Sequence, residues 1–481
     1  MNTGFQLLVS AGMASLLMAN SAVADVIQDH YGKWLGKISI PNGPTLSAGV
    51  ELFARADGSL GASMASPDQG VFALSADHVS ATGNLIELWV APVGVTWKLR
   101  ADPDALVGEA RQGNLVMPVE LKRVSSFGGP VRPQTPKEPF PYLVEELVVT
   151  AKDGVRLAGT LTRPPGGKRT TAVVLLHGSG PVDRDEALAG HRPFAVLADY
   201  LTRNGIAVYR YDKRGILRST GDYSTVVIST LADDGFAAVK MLRARKDIAH
   251  VGVIGHSEGG LLAAMIAAEH PEAVDFAASL AGPGLKGIDA IILQDRVGYE
   301  HRGLPQAGID KLTNYSRRFY ATVVSNDNVE ARIKALQALY AGSNEADKAL
   351  VQQYASRGSL SLEQASLPYE AALLVTDAPA YWHNVKCPVL ALNGTLDLQV
   401  PAVENLSGIR SALTAGGNAQ IQIEAVPSLN HLFQTATSGL EEEYASLQET
   451  IAPAVLQRVA TFVSTQRSPN SPDHPAGHRA Q

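Results

Sequence analysis

The sequence predicts an α/β chain of two parts: a small antiparallel β domain, then a mostly parallel sheet carrying a late helical insertion. Three observations predict it. Short alternating runs broken by turn signals fill residues 26 to about 125. Continuous apolar runs alternating with amphipathic helices fill most of the remainder, the pattern of a parallel sheet covered on both faces. Residues 283–386 drop the strand runs and keep helical periodicity alone.

In the first part, Gly49-Val50-Glu51-Leu52-Phe53 and Leu85 to Val90 read as strands. Turns fall at Asp57-Gly58, Thr82-Gly83-Asn84 and Gly113-Asn114. Trp34, Trp89 and Trp97 fit core packing better than a ligand groove. Residues 128–141 (GGPVRPQTPKEPFP) hold two glycines and five prolines, so neither a helix nor a central strand continues through them. They read as a semi-rigid linker between a β-rich domain, 25–127, and an α/β domain, 142–466.

Beyond it, 147–161 reads as a hairpin turning at Asp153-Gly154. Buried strands follow at 172–176, 206–211 and 251–254, with helices such as 193–204 and 231–245 between them, and further strands fit at 277–280, 389–392 and 421–426. Because the helical insertion enters late in the sheet, it is expected to cap the strands' C-terminal edge, where ligands bind in such folds.

Composition narrows the function classes. The 481 residues exceed one ordinary core, and 45% hydrophobic with 18% charged residues is a globular balance. A net charge of −6 without a basic block argues against nucleic acid as a partner. Cys387 is the single cysteine, which rules out an intramolecular disulfide and reads as a buried small hydrophobe. The twelve histidines show no H-E-x-x-H spacing, so no metal site is expected, and nothing calls for a cofactor. Leu7 to Met18 followed by Ala22-Val23-Ala24 predicts a signal peptide over 1–24, a mature start near Asp25, and export to the periplasm or medium. Residues 2–6 depart from that pattern by carrying no Lys or Arg. The run is too short to span a bilayer, and no other segment suits a transmembrane helix. The polar tail 467–481 is expected to be disordered.

The chemistry concentrates at Gly255-His256-Ser257-Glu258-Gly259. A strand leads into this G-x-S-x-G and an Ala/Leu-rich helix leads out, the context that a nucleophile elbow requires. A serine hydroxyl needs a base, and the base needs a partner to fix its tautomer. Asp397 and His431 each follow a predicted strand, on the same sheet edge as Ser257 and in the order Ser, Asp, His. Asp183, Asp185 and His383 are rivals placed wrongly in that order. The oxyanion needs backbone N–H donors, for which the amides of Glu258 and of Ser179, in His177-Gly178-Ser179-Gly180, are the candidates.

These motifs, with Asp183-Arg184-Asp185, Tyr211-Asp212-Lys213-Arg214-Gly215 and Gly255 to Gly260, resemble bacterial α/β-hydrolases of the EstD-like esterase group, which has serine aminopeptidase-like and dienelactone-hydrolase-like kin. The resemblance covers about 143–465 and implies cofactor-free hydrolysis of a small-molecule carboxylic ester, typically with a short acyl group. It also implies the triad roles for Ser257, Asp397 and His431. One departure is visible: Leu217 stands where the group has a glycine. A serine aminopeptidase is the nearest alternative and would need an acid to anchor an amino terminus, with Glu300, Asp310 and Glu363 as cap candidates. A glycan-binding protein on an inactive hydrolase scaffold is a third reading.

Overall fold

The computed structural model describes residues 27–466 apart from 42, 131, 167–168, 327 and 356–359. The expected leader, 1–24, and the expected tail, 467–481, lie outside the described residues. The chain divides into two compact units, 1–131 with 215–221, and 132–214 with 222–481.

Among the described residues of the first unit, nine antiparallel strands form one sheet, and the strand Gly32–Ser39 pairs with both Thr45–Ala54 and Leu115–Val124. Alternation selects the faces: along 85–90, Ile86, Leu88 and Val90 are buried while Leu85, Glu87 and Trp89 point outward. Trp34 and Trp97 are core residues, whereas Trp89 is 39% exposed. The Trp34 indole donates to the His30 carbonyl at 2.8 Å and lies beneath the Arg123 guanidinium. The peptide 215–221 belongs to this unit: the Leu217 amide donates to Ser75 Oγ at 3.2 Å, and the Arg218 carbonyl accepts the Ala56 amide at 2.7 Å. Leu217 has φ 43°, so a leucine holds the left-handed conformation that costs a glycine least.

The second unit is an α/β-hydrolase fold. Its strands are β1 (Leu143–Thr150), β2 (Arg156–Arg163), β3 (Thr170–Leu176), β4 (Ala207–Tyr211), β5 (Ile248–His256), β6 (Phe276–Leu280), β7 (Val389–Gly394) and β8 (Ile421–Val426). Their spatial order is β1-β2-β4-β3-β5-β6-β7-β8, with β2 antiparallel to both its neighbours, β1 and β4, and the remaining pairs parallel. Central strands are apolar on both faces because helices cover both. Val173 and Leu175 pack with helices α1 (Pro193–Arg203) and α10 (Pro453–Thr465). Val174 and Leu176 pack with α2 (Ile228–Arg243) and α3 (Glu258–Glu269) on the other side. Each such side chain contributes about 2 kcal/mol on burial.

Between β6 and β7 come α4 (Gly287–His301), α5 (Gln306–Val324), α6 (Val329–Ala341), α7 (Pro368–Val375) and α8 (Ala378–Asn384); α9 (Ala402–Ala415) follows β7. The insertion has its own core, including Leu312, Phe319, Tyr320 and Leu336. Its last helix departs from that core: Ala378 and Trp382 of α8 join the sheet layer with α3 and α9. The proline-rich stretch is tied to this unit from Arg132 onward. Arg132 donates to the Ala445 carbonyl at 2.7 Å, and Gln134 donates to that of Ile451 at 2.7 Å.

Candidate active site

Ser257 stands between β5 and α3 at φ 53°, ψ −122°. That conformation costs a non-glycine residue about 1–3 kcal/mol, and the surroundings hold it. The Ser257 amide donates to the Leu280 carbonyl at 2.8 Å, and the Ser257 carbonyl accepts the Gly260 amide at 2.8 Å. The turn has no room for side chains beside it. A Cβ at Gly255 would lie 1.8 Å from the Gly259 carbonyl oxygen, and one at Gly259 would lie 1.9 Å from that of Leu176.

Asp397 follows β7 and His431 follows β8, and both are buried. His431 Nδ1 lies 2.8 Å from Asp397 Oδ2. Asp397 Oδ1 accepts the amides of Gln399 at 2.9 Å and Val400 at 2.8 Å, which fixes the carboxylate. The base loop is fixed in turn by Asn430, whose Oδ1 accepts the amides of Leu432 and Gln434. The His431 ring stands 4.8 Å from that of His256, the neighbour of Ser257.

The glycine-rich loop after β3 folds back toward the serine: a Cβ at Gly178 would be 3.3 Å from that of Ser257. Ser179, Ser257 and Glu258 line one pocket of about 560 Å³. Leu261, Leu285, Ile291, Leu373 and Val400 supply apolar wall, partly from the cap. Among its described lining residues, Glu258 is the one with an ionisable side chain. Both of its carboxylate oxygens are engaged, Oε1 by Lys213 Nζ at 3.1 Å and Oε2 by the Tyr369 hydroxyl of α7.

Lys213 is 2% exposed and also donates to the carbonyls of Gly178 at 2.6 Å and Gly180 at 3.1 Å, bracing the loop that bears Ser179. Burial, with Glu258 beside it, holds the Tyr369 hydroxyl well above the usual phenol range, so it remains a donor. Burial pushes His177 down to about 3, leaving a neutral ring edge-on to Tyr211.

The rivals fall elsewhere. Asp183 Oδ1 accepts the amides of Asp185 and Ala187, and Asp185 pairs with Arg210 at 2.7 Å. His383 is exposed on α8. Glu300, Asp310 and Glu363 are all exposed, and none lines the pocket. Sequence reasoning passed over Lys213, Glu186, His256 and Tyr369. The first three lie in or beside motifs already singled out, and for Lys213 the available signal was a lysine two residues past an apolar strand. Tyr369 gave none, because its partner is 111 residues away.

An elbow serine, a buried Asp–His pair and this strand order define an α/β-hydrolase. The chain belongs to the serine aminopeptidase, S33 family, whose model matches residues 168–433. It is 40% identical over 127 residues to esterase EstD of Thermotoga maritima, covering 26% of this chain and 30% of that one. It is 30% identical over 125 residues to the uncharacterized protein YfhR of Escherichia coli K12, covering 25% and 41%. The chain thus spans less than half the length of these relatives. Esterase Pf2001 of Pyrococcus furiosus is similar in structure, at TM-score 0.40 and 16% identity over 67% of this chain and 91% of that one.

Proposed function

We propose that this chain hydrolyses carboxylic esters through an acyl-enzyme on Ser257, with His431 as base and Asp397 as its partner. The observation that carries the reading is a strained serine and a buried Asp397–His431 pair at neighbouring strand ends, beside a pocket with apolar walls. With His431 Nδ1 engaged by Asp397, Nε2 is the nitrogen left to take the serine proton. Ser257 then attacks the ester carbonyl, and the oxyanion rests on the amides of Glu258 and Ser179. His431 returns the proton to the leaving alcohol, and water repeats the sequence on the acyl group. The pocket favours an uncharged, short apolar acyl group.

A peptidase is the second reading, favoured by the description of the family itself. It lacks support from the pocket, where the ionisable lining residue is already paired on both oxygens. Assay of p-nitrophenyl esters from acetate to octanoate against aminoacyl-anilides separates the two. Turnover of the esters alone is expected, and equal kcat/KM on the anilides would make the chain a peptidase. We further read residues 1–24 as an export leader, so sequencing of the exported protein should begin near Asp25, and retention of Met1 would refute this.

A further inference from the structure

Behind the proposed triad lies a second histidine–carboxylate pair. His256 and Glu186 are both buried, and His256 Nδ1 lies 3.1 Å from Glu186 Oε1. The same oxygen accepts the amide of Gly178 at 2.5 Å. The other ring nitrogen, Nε2, lies 2.9 Å from the carbonyl oxygen of His431. Glu186 is held at φ 52°, a conformation that orders its carboxylate inward at a cost in backbone strain. One pair thereby touches three parts of the site: the elbow through His256 itself, the oxyanion loop through Gly178, and the base through His431.

We propose that Glu186 and His256 form a positioning dyad, in which an imidazolium His256 clamps the His431 carbonyl and Glu186 clamps the Gly178 amide. The inference rests on the hydrolase reading above. A carbonyl oxygen only accepts, so Nε2 of His256 must bear a hydrogen. With Glu186 ionised, Nδ1 must bear one too. The surrounding charges support this state. Burial alone would lower His256, but the Glu186 carboxylate, the His431 carbonyl and Asp397 together outweigh it and raise the ring above its usual value. Burial alone would raise Glu186, but His256, with the Gly178 amide adding to it, holds it below its usual value. The groups Asp397, His431, His256 and Glu186 thus form a row in which negative ends enclose the two rings.

The dyad makes the pH dependence asymmetric. A raised histidine pKa means that the clamp is complete at low pH and lost as pH rises through the folded-state value. His256 contributes to the alkaline limb of kcat/KM. In Glu186→Gln the amide oxygen still accepts from Gly178, but the charge that keeps His256 doubly protonated is gone. The expected result is an alkaline limb moved to lower pH, kcat about 10- to 100-fold lower at pH 8, and KM within about twofold. Nitrogen-15 NMR of histidine-labelled wild-type protein should find both His256 nitrogens protonated at pH 7, a reading that needs no variant to fold. A neutral His256 ring overturns the proposal. So does Glu186→Gln with wild-type kcat and an unmoved alkaline limb. Failure of the hydrolase reading is separately visible, since it would leave the wild-type protein itself inactive on esters whatever the state of His256.

Discussion

In the N-terminal sheet the left-handed backbone positions at tight turns fall on glycines, among them Gly58, Gly83, Gly94 and Gly113. In the hydrolase unit glycines such as Gly154, Gly205 and Gly417 take such positions too, but so do Glu186, Ser257, Ala281, Ser428 and Phe433, residues that strain there. Those residues crowd around Ser257 and His431: Ala281 follows the strand end that accepts the Ser257 amide, and Ser428 and Phe433 flank the base. Buried charge follows the same division. Lys213–Glu258 and Arg214–Asp234 are buried pairs in the hydrolase unit, while pairs of the sheet such as Lys98–Glu87 and Lys122–Glu120 are exposed on both partners. The nine-stranded sheet turns on relaxed glycines; the hydrolase unit adds strain where side chains must be aimed.

The comparison breaks most sharply at Ser257. Ser257→Ala should lower kcat by about 10⁴-fold or more with unchanged thermal unfolding, because it deletes a group used only in the reaction. Activity within tenfold of wild type, an order of magnitude at most, would mean another nucleophile. Trp97→Ala should do the reverse in the sheet, costing about 3–5 kcal/mol of stability with kcat of the folded fraction unchanged. A loss of kcat without loss of stability there would give the N-terminal sheet a role in the chemistry.

Smaller effects sharpen the contrast. Lys213→Met removes the donor shared by Gly178, Gly180 and Glu258, and kcat should fall by roughly 10- to 100-fold through disorder of the oxyanion loop. An unchanged kcat would make the lysine a packing residue. In the cap, burial, with Asp295 adding to it, raises Glu370 from its ordinary 4.5 to about 7. A carboxyl raised on folding is protonated in the native state where the unfolded chain is ionised, so stability should fall as pH rises between those values. Glu370→Gln should remove that slope in urea titrations at a series of pH values, and persistence of the slope would place its origin elsewhere. Gly83→Ala meets no atom within 4 Å and should cost about 1 kcal/mol through its φ of 61° alone.

How much of this was legible in the sequence follows from the range of each interaction. Strands and helices of the hydrolase unit were legible because their signal is local periodicity. The apolar run 172–176 sits inside β3, and the Ala/Leu-rich stretch after Ser257 is α3. Asp397 and His431 were legible as a pair because chain order and strand ends constrain where they emerge. Alternation along 85–90 already separated Trp89 from the core, although the three tryptophans were read together. Partnerships across the fold were not legible. Glu186 to His256, Lys213 to Glu258 and Tyr369 to Glu258 span 70, 45 and 111 residues, and no local pattern sets which atoms meet. The rivals Asp183 and Asp185 looked available for the same reason, since their amide and Arg210 partners come into view only with the fold.

The central claim is that Ser257 is an activated nucleophile, and reaction of the purified protein with a fluorophosphonate probe tests it most directly. One adduct is expected, mapped to the peptide bearing Ser257 and lost in His431→Ala. An unlabelled Ser257 in folded protein, or labelling that survives His431→Ala at the wild-type rate, would contradict it.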